Sequence, residues 1–134
     1  MALEQLKKAG ANSSKIAVIG YCFGGTGALE TARAGFDVNG VVSIHGGLSK
    51  AADRANGAIK TKVLVENPAE DKGVTKEIYD QLVQEMKDGK ADWQIITYAN
   101  CGHTFTNPTS KEYNEVMAKR AWNHTLLFLA EVLK

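Results

Sequence analysis

The feature that most limits this chain is a set of short, almost unbroken apolar runs set between helix-forming stretches. They are "KIAVIG" at 15–20, "VNGVVSI" at 38–44, "KVLVE" at 62–66 and "DWQIITY" at 92–98. A strand with one wet face alternates apolar and polar residues, whereas near-continuous runs rich in Val and Ile suit strands covered on both faces. Helical stretches are expected at 3–8, 24–34, 74–88 and from about 111 to the end, while "HGGLSKAADRANGAIK" at 45–60 reads as loop. In the third helix Ile78, Tyr79, Leu82, Val83 and Met86 share a stripe, with Lys76, Glu77, Gln84 and Glu85 on other faces. In the last, Trp122, Leu126, Leu129 and Leu133 recur at helical spacing and read as core. The alternation predicts an α/β fold: a mostly parallel sheet of about four strands, right-handed crossovers, and helices on both faces. Ligands of such sheets collect beyond the carboxyl ends of the strands, here Gly20, His45, Glu66 and Tyr98.

At 134 residues the chain is one domain, of a size that buries roughly two-thirds of its unfolded surface. Sixteen basic residues nearly cancel fifteen acidic ones, leaving a net charge of +1. That balance offers no field for nucleic acid or an anionic membrane surface. No apolar run approaches a membrane span, and "MALEQLKKAG" is polar rather than an apolar signal core. A cytoplasmic location is expected. The two cysteines, Cys22 and Cys101, are then expected as reduced thiols. No metal-ligand spacing is visible, and no metal or cofactor is expected.

The turn after the first strand, "GYCFGG" at 20–25, is where chemistry enters. A P-loop needs Gly-x-x-x-x-Gly-Lys-Ser/Thr and a dinucleotide turn needs Gly-x-Gly-x-x-Gly; both fail on spacing. The stretch does satisfy the small-x-nucleophile-x-small pattern of a nucleophile elbow, with Cys22 as the central residue. Such a residue is forced into a strained turn between strand and helix, where side chains two places before and after would collide. Gly20 and Gly24 are expected to remove that collision. The same turn aims the Phe23 N–H and the start of the helix at the place where an anionic intermediate would form. The plainer alternative is a buried cysteine in an ordinary strand-to-helix turn.

An elbow expects an acid after a later strand and a histidine after the last strand. That order is present: Asp71 follows "KVLVE" in "NPAEDKG", and His103 follows "WQIITY" in "ANCGHTF". A histidine within reach would activate the thiol, and an aspartate would hold the imidazole tautomer. The plainer alternatives are a surface-loop histidine and a solvated turn carboxylate. The "HGG" at 45–47 lies after the elbow and after a different strand, and reads as structural.

At this point the residues resemble a family. "KIAVIGYCFGGTGALE", "GVVSIHGG", "KVLVENPAEDK", "ADWQIITYANCGHTFTNP" and "YNEVMAKRAWNHTLLFL" are similar, in order and spacing, to the carboxyl-terminal half or more of the dienelactone hydrolase family. The resemblance implies an α/β-hydrolase fold, with Cys22 as nucleophile, Asp71 as acid and His103 as base. It also implies hydrolysis of small-molecule esters or lactones without a cofactor. Two departures stand out. The family's acid turn is usually of a His-Gly-Ala-Asp/Glu-Asp-Pro type, whereas here Glu66-Asn67-Pro68 precede Ala69-Glu70-Asp71. The family also has several strands ahead of the elbow, and this chain has one helix there, so the domain is expected to be partial, a truncated version of the fold.

Without a neighbour, the elbow strand becomes an exposed sheet edge, which proteins cover or pair. A homodimer burying that edge is expected. Three functional readings follow: a cysteine-dependent ester or lactone hydrolase, a catalytically weak or inactive remnant acting as an oligomeric or binding module, and a thiol-redox protein using Cys22 and Cys101.

Overall fold

The structure, a computed structural model, describes residues 2–134. In chain order the elements are α1 (Ala2–Lys8), β1 (Ala17–Tyr21), α2 (Phe23–Arg33), β2 (Gly40–Ile44), β3 (Lys62–Pro68), α3 (Lys76–Asp88), β4 (Trp93–Tyr98) and α4 (Glu115–Val132). The strands form one sheet in the order β1-β2-β3-β4, with every neighbouring pair parallel. This is the expected α/β arrangement, with element boundaries displaced by a few residues. The largest displacement is at α4, because 107–113 are spent in turns and Asn114 sets the helix start by accepting a hydrogen bond from the Met117 N–H. Among the described residues no helix is long and apolar enough to cross a membrane.

Alternation along the strands sends one set of side chains to each face of the sheet. On one face Val41, Val63 and Val65 pack against Ala28, Leu29 and Ala32 of α2 and Leu82 and Met86 of α3, all buried. On the other, Val42, Ile44 and Leu64 meet Ile96 and Phe128 of α4. Each fully buried aliphatic side chain of this kind contributes about 1.5–3 kcal/mol relative to exposure.

Two expectations are corrected here. Glu85 does not lie on a wet face of α3: it is buried, and its carboxylate takes the Arg33 guanidinium in a fork, Nε to Oε1 at 2.9 Å and Nη2 to Oε2 at 2.8 Å. Arg33 also donates to Glu30 and to the carbonyls of Leu48 and Ser49, so the buried cation that joins α2 to α3 has partners throughout. Trp122 and Leu126 are not core; they are 47% and 45% exposed. The face of α4 turned to the sheet is instead Ala121, Thr125 and Val132, with Met117 and Phe128 packed beside them. Small residues at 121 and 125 let the helix approach the sheet closely. On the neighbouring stripe Trp122 shares a cleft with Tyr21 of β1, an edge strand with Ile19 at 36% and Tyr21 at 45% exposure.

Candidate active site

Cys22 sits between β1 and α2 at φ 53° and ψ −121°. A non-glycine residue there is strained by about 1–3 kcal/mol and is held only when its surroundings over-determine it. Gly20 is one such constraint, since a Cβ at Gly20 would meet the Gly24 carbonyl oxygen at 1.8 Å. Gly24 is not: a Cβ there would meet nothing within 4 Å, because the position faces outward at the start of the helix. The second indispensable glycine is Gly25, whose Cβ would meet the Gly46 Cα at 2.8 Å. The steric requirement therefore lies three places after the cysteine, against the β2 loop, and not two places after it within the elbow. Phe23 is the first residue of α2. Its N–H has no acceptor within the helix and lies at the positive end of the helix dipole. The Phe23 ring is 90% exposed.

Asp71 and His103, from the loops after β3 and β4, are brought together. His103 Nδ1 lies 2.7 Å from Asp71 Oδ2, while the Gly73 N–H donates to Asp71 Oδ1 at 2.9 Å. The Asp71 side chain is 7% exposed and that of His103 43%. A buried carboxylate on Nδ1 fixes the tautomer with its free lone pair on Nε2. The altered acid turn thus leaves Asp71 on the histidine.

The residue that touches the thiol is one the sequence reading treated as structural. His45 Nδ1 lies 3.3 Å from Cys22 Sγ and accepts from the Cys22 N–H at 3.2 Å. Its Nε2 lies 2.8 Å from Thr106 Oγ1. The strand register explains the encounter. Tyr21 pairs with Ile44, so the next residue of each parallel strand, Cys22 and His45, emerges beside the other. His45 is itself at φ 40°, and Gly46 packs so tightly on the elbow that a Cβ there would meet the Gly25 carbonyl carbon at 2.6 Å. His103 is near as well: one donor atom from each of Cys22, His45 and His103 lies within 4.8 Å of the others, and the two imidazole centroids are 5.3 Å apart. Burial lowers the His45 pKa, so the ring is neutral at neutral pH. Burial, with the Asp71 charge adding to it, pushes the Cys22 thiol up.

A cleft of about 500 Å³ opens beside the thiol, lined by Tyr21, Ile44, Glu66, Thr106, Ala121 and Trp122 among others. At its base Glu66 is completely buried, with Oε1 accepting from Thr125 Oγ1 at 3.0 Å and Oε2 without a partner. Burial raises its pKa to about 8, so the carboxyl is neutral at neutral pH. Cys101 is fully buried beside Tyr98, Phe105 and Ala121, and both cysteines are free thiols. His124 of α4 is bonded to the Tyr98 hydroxyl through Nδ1 at 2.7 Å.

A model of the dienelactone hydrolase family matches residues 1–133. An uncharacterized protein of Caenorhabditis elegans is 31% identical over 134 residues, covering 90% of this chain and 82% of its own. A Bradyrhizobium protein named as a probable 2-oxo-3-(5-oxofuran-2-ylidene)propanoate lactonase is 22% identical over 130 residues, 90% of this chain and 52% of its own. Among solved structures, a dienelactone hydrolase-like promiscuous phosphotriesterase from metagenomic libraries superposes with a TM-score of 0.89 at 32% identity, covering 99% of this chain and 59% of that one. The chain spans little more than half the length of that solved relative and of the named lactonase.

Proposed function

The chain belongs to the dienelactone hydrolase family, and from that premise we propose that it is a cysteine-dependent hydrolase of small esters or lactones. In this reading Cys22 is the nucleophile, His103 the base and Asp71 the residue that orients it. The observation that carries the reading is the pair of arrangements at one rim of the sheet: a cysteine held at φ 53° at a helix start, and beside it a histidine whose Nδ1 is held by a nearly buried carboxylate.

Chemically, His103 Nε2 takes the thiol proton as Sγ attacks the substrate carbonyl, and the Phe23 N–H stabilises the oxyanion. Collapse expels the alcohol, or opens the lactone ring, with the proton returned from His103. Water activated by the same imidazole then releases the acid. The lactonase named among the relatives supports a lactone as one substrate class.

A second reading, a catalytically weak or inactive module, draws on the Cys22–His45 contact at 3.3 Å and the raised thiol pKa, which hold the sulfur in its neutral form. A small activated ester followed by intact-mass spectrometry separates the two. The hydrolase reading expects a transient acyl adduct on Cys22, release of product beyond one equivalent, and loss of both in Cys22→Ala. A persistent adduct, or none, favours the inactive module. A homodimer across the β1 edge remains part of the proposal, supported by the exposure of Ile19 and Tyr21 beside Trp122; a single-chain mass by light scattering at micromolar concentration would sink it.

A further inference from the structure

A nucleophile, a base and an orienting acid use Cys22, His103 and Asp71 and leave one chemically active group over, the buried imidazole of His45. Among the described residues, Cys22, His45 and His103 are the one place where three thiol or imidazole donors meet, all within 4.8 Å of one another. Each imidazole is tied on its far side. His103 Nδ1 is held by Asp71 at 2.7 Å and His45 Nε2 by Thr106 Oγ1 at 2.8 Å. That leaves His103 Nε2 and His45 Nδ1 facing the sulfur. His45 Nδ1 lies 3.3 Å from it and accepts from the Cys22 N–H at 3.2 Å, an amide that keeps the Ile44 carbonyl at 3.1 Å when a metal takes the nitrogen's lone pair.

We propose that Cys22 Sγ, His45 Nδ1 and His103 Nε2 form a zinc-binding site, water filling the fourth position, in which the metal withholds the thiol from its substrate. One thiolate and two imidazoles are a donor set that suits zinc, and three protein ligands with one open position are a usual arrangement for it. Zn–S and Zn–N bonds of about 2.3 and 2.0–2.1 Å imply donor separations of about 3.3–3.6 Å in a tetrahedron. The Cys22–His45 contact has that spacing already, and the rest closes by side-chain rotation of about 1 Å at the half-exposed His103. Asp71 and Thr106 supply the outer hydrogen bonds that ordinarily orient metal-bound histidines. Binding forms a Zn–S bond and breaks the S–H bond, with the proton lost to solvent. The sulfur lone pair is then engaged, and His103 can no longer act as base.

The inhibitory half of this proposal rests on the hydrolase reading; the binding half does not. The test is therefore titration of the whole protein with cobalt(II) as a spectroscopic stand-in, then with zinc, alongside ester hydrolysis. The expected result is one equivalent of cobalt giving tetrahedral ligand-field bands and a thiolate-to-cobalt charge-transfer band. Zinc should displace both, raise the melting temperature through its binding to the folded state, and stop ester turnover until a chelator is added. Cys22→Ala should lose the charge-transfer band, and Thr106→Val should weaken zinc binding by about 10- to 100-fold. The site is refuted if cobalt gives no charge-transfer band, or if zinc binds wild type and Cys22→Ala alike. If cobalt binds through the thiolate in a protein with no esterase activity, the site stands and the hydrolase reading falls. Esterase activity undiminished by bound zinc overturns the inhibitory half alone.

Discussion

The two faces of the sheet are made by the same strands and meet opposite fates. On the face covered by α2 and α3, the core side chains from Ala28 to Met86 are at most 4% exposed, and the buried Arg33–Glu85 ion pair is joined in a two-bond fork. On the face covered by α4 alone, the row Tyr21, Ile44, Glu66 and Ile96 runs across all four strands by register. It begins at an exposed tyrosine and passes a buried acid with an unpartnered oxygen. Two helices close one face; a single helix leaves the β1 side of the other open, and the cleft beside Cys22 lies there. Stability is thus concentrated on one face, and room for a ligand on the other.

Four substitutions break or sharpen that contrast. The largest loss is expected from Glu85→Ala on the closed face, which leaves the Arg33 guanidinium buried without its forked partner and costs about 3–5 kcal/mol, read by urea unfolding. Leu82→Ala on the same face opens a cavity beneath α3 and costs about 3 kcal/mol; a loss below 1 kcal/mol would mean that α3 closes the gap. On the open face, Glu66→Gln changes how stability depends on pH. The native carboxyl keeps its proton up to about pH 8, while the unfolded one loses it near pH 4.3. Between those values unfolding releases a proton, so the wild-type protein loses stability as pH rises across that window. Glu66→Gln should flatten the decline, and equal slopes for the two proteins would place the Glu66 pKa in the ordinary range. The smallest effect belongs to Leu126→Ser, which replaces an exposed side chain on α4 and should move stability by less than about 0.5 kcal/mol. A larger loss that depends on protein concentration would reveal a partner seated on that stripe.

Much of this was legible locally. The apolar runs announced parallel strands; burial on both faces, the reason given for them, holds for the inner strands β2 and β3 and fails at the edges, where β1 and β4 are partly exposed. The elbow announced itself because Gly20 must yield to the Gly24 carbonyl across only four residues. Where the reading failed, the cause was distance along the chain. Gly24 was assigned a steric role that belongs to Gly25, because the obstacle to a Cβ at Gly25 is Gly46. Helical spacing grouped Trp122 with Leu126 correctly but could not say that the covering element on that side is absent among the described residues. His45 was passed over because its contact with Cys22 depends on pairing β1 with β2 in one register, although a histidine immediately after the neighbouring strand was the available signal. The Cys22, His45 and His103 cluster has no signature in sequence spacing for the same reason, since its three side chains follow three different strands.

The sequence by itself determined the kind of layers, the strained cysteine turn, and the order of cysteine, aspartate and histidine after successive strands, because strand period and glycine sterics act between near neighbours. Tertiary structure alone decided that Asp71 lands on His103, that a second histidine reaches the thiol, and which face of the sheet stays open. Those outcomes depend on strand register and on which helix covers which face, and both are settled by packing across the whole sheet.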